Sequence, residues 1–374
     1  MDLPMPRLVA WETTRACPLA CIHCRAEAQT EPDPRQLTTE EGKALLENIA
    51  SFCKPIVILT GGEPLTRKDI FELATYGTSL GLRMTISPDD GRLLTPETVE
   101  KLKTAGIQRV SFSLHFPTAE KNDYFARRQG AFEAALQGLA NLKRGGLPFQ
   151  INTSVTRHNV DDLPRMLDIV HEVGAEAWHT FLLVPTGRAR DIAMDELDPM
   201  KYEETLNWLY DQQSFQGKGE PIQIQATCGP HLKRIQLQRR KAEGLAGPVE
   251  RPSVQPAIMG KPAGHPHHSM PVSRGCMTGD GFVFVSHVGE VFGCGFLPIA
   301  AGSVRERPFK EIYYSSPYLQ ELRDVSKLGG KCGRCEYRNV CGGCRARAYA
   351  ATGDYLAEEP YCIYEPKMAA LPEQ

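Results

Sequence analysis

Between Leu8 and Pro185 the chain alternates short β-rich runs with longer amphipathic ones, and this order constrains its fold more than any other feature. Alternation of that kind builds a parallel sheet whose strands are joined by crossover helices. The strand runs are Leu8 to Glu12, Ile56 to Thr60, Leu82 to Ser87, Arg109 to His115, Phe149 to Val155 and Ala177 to Val184. Between them, Thr38-Thr39-Glu40-Glu41 offers a capping box ahead of Ala44-Leu45-Leu46, and Thr95-Pro96 sets a cap before a first-turn proline. Gly81, Gly106, Gly145 and Gly174 supply the helix stops. About six such units fall short of the eight that close a barrel. The expected fold is therefore α/β, an open partial (β/α)6 barrel over residues 1–190 whose mouth something else must cover.

Two more helices, Pro199 to Gln213 and His231 to Glu243, lead into "GLAGPVERPSVQPAIMGKPAGHPHHSM", so rich in Pro and Gly that 191–270 reads as linking helices and a loop. Residues 271–374 follow, dense in cysteine, with short β-like runs (Gly281 to His287, Val291 to Phe292) and little apolar periodicity. A segment built that way needs metal to hold it together.

The formal net charge of -2 gives no reason to expect nucleic acid or a membrane surface as a partner. No run approaches the roughly 18 apolar residues of a membrane span, and Met1 to Pro6 lack the basic and apolar regions of an export signal. The expected location is cytoplasmic, where the 12 cysteines stay reduced and their clustering points to metal. Cys53 alone lies apart, as a buried filler.

The stretch "TRACPLACIHC" places Cys17, Cys21 and Cys24 within eight residues. Three thiolates can bind three irons of a 4Fe-4S cluster and leave the fourth iron open to a ligand. Zinc, with His23 as a strained fourth ligand, is the other metal reading. This cysteine spacing after a first strand resembles the signature of the radical S-adenosylmethionine (SAM) superfamily, and Gly61-Gly62-Glu63-Pro64 after the second strand resembles that family's second motif. The resemblance implies that SAM completes the cluster through its amino and carboxylate groups. It also implies that one electron from the reduced cluster yields a 5'-deoxyadenosyl radical, which removes a hydrogen atom from substrate. By the same resemblance Gly61, Gly62, Glu63 and Pro64 meet the methionine amino group and His23 lies near adenine. Ser113 and Asn152 fall at strand ends that meet ribose or carboxylate, and Val184 to Arg188 near adenine. Ser87-Pro88-Asp89-Asp90-Gly91 and Ser113-Leu114-His115-Phe116 depart from the family's usual strand-end sequences.

A second constellation comprises Cys276, Cys294, Cys332, Cys335, Cys341, Cys344 and Cys362. It resembles the SPASM extension of radical SAM enzymes, which implies two auxiliary 4Fe-4S clusters. By the family's interleaved pattern Cys332, Cys335, Cys341 and Cys362 complete one, and Cys276, Cys294 and Cys344 bind the other. The fourth place in the latter falls to Cys228 or stays open, position 270 being Met270. A zinc ribbon over Cys332 to Cys344 is the competing reading, and it orphans Cys276, Cys294 and Cys362.

"KCGRCEYRNVCGGCRARAYAATGDYLAEEPYC", "FVFVSHVGEVFGCGFLP" and "GSVRER" are similar to the tetrapyrrole-modifying members of the SPASM group, the siroheme-dependent heme synthases and heme d1 enzymes. The activity implied is oxidative decarboxylation of propionates, taking iron-coproporphyrin III or a related precursor as substrate and a flavodoxin or ferredoxin as electron donor. Arg188, Arg190, Arg345 and Arg347 are candidate partners for the propionates. His231, or His265, His267 and His268, are candidate ligands for a substrate iron. Two other classes compete. A peptide maturase of the SPASM group often carries a recognition domain before the barrel, and only 16 residues precede Cys17. A non-catalytic iron-sulfur electron carrier leaves Gly61-Gly62-Glu63-Pro64 unexplained.

Overall fold

The computed structural model describes residues 5–214, 222–245 and 274–367. Most of the Pro- and Gly-rich stretch, including His265, His267, His268 and Met270, lies outside the described residues. Among the described residues ten strands form one sheet: β1 (Leu8–Glu12), β2 (Ile56–Thr60), β3 (Arg83–Ile86), β4 (Val110–Ser113), β5 (Phe149–Val155), β6 (Ala177–Leu182), β7 (Gln223–Thr227), β8 (Phe282–Val285), β9 (Glu290–Cys294) and β10 (Leu297–Ser303). Their order is β10-β9-β8-β1-β2-β3-β4-β5-β6-β7. From β8 through β1 to β7 all neighbours are parallel. This is the open α/β barrel that the alternation predicts, with its six strands at nearly the expected bounds.

The capping box forms as its spacing requires. The Thr38 hydroxyl accepts from the Glu41 N–H, and a Glu41 carboxylate oxygen accepts from the Thr38 N–H, opening the helix Thr39–Ala50. Three of the four expected stops have positive φ; at the third, Gly146 turns left-handed and Gly145 does not. Along β2, β3 and β4 buried residues alternate with half-buried ones, whereas β1 and β8 are buried almost throughout. Val57 and Leu59 pack into the core, while Ile58 and Thr60 occupy the other face. Because parallel register keeps partners on one side, Ser113, Asn152 and His179 share a face, and Gln225 continues it on β7. One side of the sheet is thus unusually polar for a parallel sheet.

Two parallel strands extend the expected six. Strand β7, "QIQAT", pairs with β6, and β8 pairs with the free edge of β1 in the register Leu8↔Phe282 to Trp11↔Val285. The cysteine-rich part therefore continues the barrel's sheet through β8, β9 and β10. Among the described residues no helix is long and apolar enough to cross a membrane. Cys53 is buried with its thiol on the Ile49 carbonyl, as a filler would be.

The junction at β1 is also ionic. Glu12, wholly buried at the end of β1, accepts from Arg15 at 3.3 Å and Arg25 at 3.0 Å, and lies 2.9 Å from His287 Nδ1. The other nitrogen of His287 is 3.1 Å from Asp33. Burial works to raise the Glu12 pKa, but Arg25, His287 and Arg15 overcome it and hold it at about 2. Between that value and the ordinary 4.5 the unfolded chain binds more protons than the folded one, so stability falls as pH drops through this window. Glu12→Gln is expected to cost about 1.5–3 kcal/mol near neutrality. The difference from wild type, read by chemical unfolding, should shrink as the pH falls from 4.5 toward 2.

Candidate functional site

The three clustered cysteines occupy a loop at the carboxyl end of β1. Its base is closed by Cys17 N–H donating to Gln29 O at 2.8 Å and Gln29 N–H to Arg15 O at 2.9 Å. Backbone N–H groups already approach the sulfurs, Leu19 on Cys17 at 3.4 Å and Ala28 on Cys24 at 3.5 Å. Burial pushes the Cys17 thiol up to about 12 and raises Cys21 further. Such thiols keep their protons near neutrality unless a bound cation displaces them.

Gly61 and Gly62 lie directly on this loop. Gly62 N–H donates to Thr14 O and Glu63 N–H to Ala16 O, both at 2.7 Å. A Cβ on Gly62 would stand 2.4 Å from Ala16 O, a clash between two backbones that no side-chain movement relieves. The Glu63 carboxylate, wholly buried, accepts from Leu65 N–H at 3.0 Å and from Asp89 and Asp90 N–H at 2.8 Å. Burial pushes it up to about 8, against the pull of those three donors. Pro64 opens the short turn Pro64–Thr66 behind it. Three successive strand-end loops are thereby bonded to one another around the cysteines.

Beside Glu63, Asp89 Oδ1 is buried without a hydrogen-bond partner. Burial raises this carboxyl to about 6, with Ser113 pulling the other way. His23 is stacked on Phe125 (centroids 4.3 Å apart) with the His115 ring edge-on at 4.4 Å, and its Nδ1 is unpartnered. Burial holds both histidines well below the ordinary range, His115 at about 3. His115 Nδ1 accepts the Ser154 N–H at 3.1 Å, so the neutral ring carries its proton on Nε2. From the far side of the loop Arg188 donates to Cys21 O at 2.9 Å and Ala28 O at 2.8 Å, and its Nη2 is buried without a partner. Val184 is buried nearby in sequence, and Asn152 accepts from Gln150. The loop thus combines three thiols with a half-satisfied carboxylate, an aromatic stack and a spare guanidinium N–H. That donor set fits an iron cluster and a ligand bearing amino, carboxylate and adenine groups.

The remaining cysteines fall into two groups. Cys228, at the end of β7 with a positive φ of 57°, shares a hydrogen bond with Cys344, and both lie in electrostatic contact with Cys294, which in turn feels Cys276. Cys332, Cys335, Cys341 and Cys362 line one cavity together with His231, Arg234 and Lys331. Cys341 and Cys344, only three residues apart, thus face different groups, and a Cys276 N–H to Cys341 O bond of 3.2 Å joins them. The structure sets Cys228 beside the set that lacked a fourth member. Among the described residues no three His, Cys, Asp or Glu side chains converge on a single ion. A cubane does not demand that, since each thiolate binds its own iron.

The arginines behave differently from expectation. Arg345 is buried, donating to Tyr355 O at 2.9 Å and Ala357 O at 2.7 Å, and Arg347 is buried on carbonyls and two glutamates. Arg190 is exposed and paired with Glu27. None of these three is a free partner at the mouth, and Arg188 braces the loop. His231 likewise belongs to the second thiol cavity. A residue that sequence reasoning missed is Phe125, in the helix Ala119–Ala126, on which His23 stacks.

The family model of the radical SAM superfamily matches residues 11–170, and that of an iron-sulfur cluster-binding domain, SPASM, matches residues 276–345. The chain is 48% identical over 361 residues to an AdoMet-dependent heme synthase of Methanosarcina barkeri, covering 96% of this chain and 97% of that one. It is 45% identical over 364 residues to an AdoMet-dependent heme synthase of Nitratidesulfovibrio vulgaris, covering 97% and 94%. Its fold is similar to that of Streptococcus suis SuiB bound to precursor peptide SuiA, with a TM-score of 0.71 at 16% identity, over 97% of this chain and 77% of that one.

Proposed function

For a chain that belongs to the radical SAM superfamily and carries its SPASM extension, we propose an AdoMet-dependent heme synthase that oxidatively decarboxylates propionates of iron-coproporphyrin III. The observation that carries this reading is the pairing of a three-thiol loop at the barrel mouth with two four-thiol groups behind it. The first can accept an outside ligand on its cluster, and the others can complete theirs. When bound, the cluster held by Cys17, Cys21 and Cys24 supplies SAM with the electron that makes its adenosyl group a hydrogen-abstracting radical.

On this reading the residues divide their work. Glu63 and the unpartnered Asp89 oxygen receive the SAM amino group, with Gly61, Gly62 and Pro64 holding that loop on the cysteines. His23 and Phe125 present a flat wall to adenine, while Arg188 and Val184 close the far side. Ser113 and Asn152 offer hydroxyl and amide to ribose and carboxylate.

The balance of the reaction explains the second half of the chain. Removing a hydrogen atom from the propionate β-carbon and breaking the bond to the carboxylate gives a vinyl group and carbon dioxide, with one electron left over. Cys332, Cys335, Cys341 and Cys362, or Cys228, Cys276, Cys294 and Cys344, would hold an auxiliary cluster able to take that electron. Residues 1–190 then supply the radical-generating loop and its six strands, Gln223–Thr227 within 191–270 adds a seventh parallel strand and brings Cys228 to the electron-accepting part, and 271–374 carries the rest of that part. The protein works in the cytoplasm with a low-potential donor such as flavodoxin or ferredoxin.

Anaerobic incubation with SAM, reductant and iron-coproporphyrin III is expected to give one 5'-deoxyadenosine per carbon dioxide and a divinyl product by mass spectrometry. Failure of the porphyrin to bind or react, with modification of a precursor peptide instead, would replace this substrate by a peptide.

A further inference from the structure

The two four-thiol groups have different surroundings. His231, the first residue of the helix His231–Ala242, is 1% exposed, and neither ring nitrogen has a hydrogen-bond partner. It lines the cavity of Cys332, Cys335, Cys341 and Cys362. Burying an imidazole with both nitrogens unpaired is costly unless something in that cavity takes its N–H. Arg345 points Nη2 at Cys332 Sγ from 3.7 Å, and the Glu359 N–H approaches the same sulfur at 3.4 Å. Among the described residues no carboxylate pairs with Arg345, whose other donors sit on backbone carbonyls. Arg234 and Lys331 line the same cavity, but each is paired with a carboxylate, Glu203 and Glu365 respectively, so the charge left without one is that of Arg345.

Around Cys228, Cys276, Cys294 and Cys344 the balance is otherwise. The guanidinium there, Arg347, is held between Glu196 and Glu359, and Glu359 opposes it at Cys344. The sulfurs of this group meet a backbone N–H, Phe296 on Cys294 at 3.4 Å, and the Thr278 hydroxyl 3.3 Å from Cys276, and the nearby Tyr318 hydroxyl is buried without a partner. N–H donors and uncompensated positive charge at cluster sulfur favour the state carrying the extra electron, while a neutralised ion pair does so less.

We infer that His231 donates a hydrogen bond to the cluster of Cys332, Cys335, Cys341 and Cys362 and, with Arg345, sets its reduction potential above that of the cluster of Cys228, Cys276, Cys294 and Cys344. The inference rests on the two-cluster reading above. It makes the Cys332 group the thermodynamic end point for the electron released with each carbon dioxide. His231 acts there through the cofactor and touches no substrate.

The test is a redox titration of the anaerobically reconstituted full chain, followed by electron paramagnetic resonance. His231→Phe is expected to cut the reduced fraction of one auxiliary cluster about tenfold at fixed potential, ~59 mV for one electron, leaving the other two unmoved and the iron content intact. His231→Gln, which restores an N–H donor, should recover most of the shift. No shift at full iron content, or an equal shift in all clusters, would overturn the inference. If His231→Phe loses iron, wild-type protein labelled with 15N-histidine decides. A hyperfine coupling from labelled nitrogen to the reduced cluster is expected, and its absence overturns the assignment. Wild type binding only about eight irons, with none at the Cys332 group, would overturn the cluster reading as well.

Discussion

Cys21→Ala should abolish reductive cleavage of SAM while leaving about eight of some twelve irons in place, if each of three sites holds four. On the proposed reading the three thiols on the β1 loop would be the whole protein ligand set of that site, so losing one would open a second iron with no spare thiol to recruit. The loop itself should survive, because its base is tied by Cys17 and Gln29 backbone bonds that do not use the Cys21 side chain. Chemical analysis of iron together with 5'-deoxyadenosine by chromatography checks both halves. Cys53→Ala is the matched control. Cys53 is buried behind Ile49, away from every other thiol group, and its loss should cost stability without changing either readout. Retained cleavage in Cys21→Ala would remove the loop from the chemistry altogether.

The strands β1 to β6 were legible because each is a short apolar run flanked by caps and glycines, and local signals of that kind do not depend on distant partners. Strand β7 was not, since Gln223, Gln225 and Thr227 alternate with a single buried apolar residue, Ile224, and the run reads as polar loop. Nor was the pairing of β8 with β1, which joins residues on opposite sides of the long Pro- and Gly-rich stretch. The cysteine motif and Gly61-Gly62 could be identified as a unit, but what makes them one is the backbone contact at Ala16 O, a fact of packing. Asp89 and His231 owe their interest to burial without a partner, which no residue type announces. The four arginines show the converse error. Guanidinium groups fit propionates chemically, yet Arg345 and Arg347 proved to be interior struts, because several carbonyls and two glutamates converge on them first.

Arg347→Met should unfold the junction between barrel and cluster-bearing part, at a cost of about 3–5 kcal/mol. The residue is 1% exposed, and its donors reach Leu182 O, Leu183 O and Cys228 O at 3.2, 2.9 and 3.0 Å, joining the end of β6 to the backbone just after β7. Its charge faces Glu196 at 3.2 Å and Glu359 at 3.4 Å, both nearly inaccessible. Methionine fills much of the space but leaves two buried carboxylates uncompensated. Burial already raises the Glu196 pKa despite Arg347, so the variant should protonate it. Glu359 also accepts the Cys344 N–H at 2.6 Å, so its disturbance reaches the thiol group of Cys228 and Cys344 directly. The loss should therefore be selective. Iron falls by about four, SAM cleavage continues, and 5'-deoxyadenosine accumulates without matching carbon dioxide. Arg347→Lys should rescue little, because one ammonium cannot serve three carbonyls and two carboxylates in a plane. Adding Glu359→Gln to Arg347→Met should recover part of the unfolding free energy, since it removes one stranded charge while keeping an acceptor for Cys344. Chemical unfolding of the single and double variants measures that recovery, and a strictly additive loss would mean that the two side chains do not act as a pair.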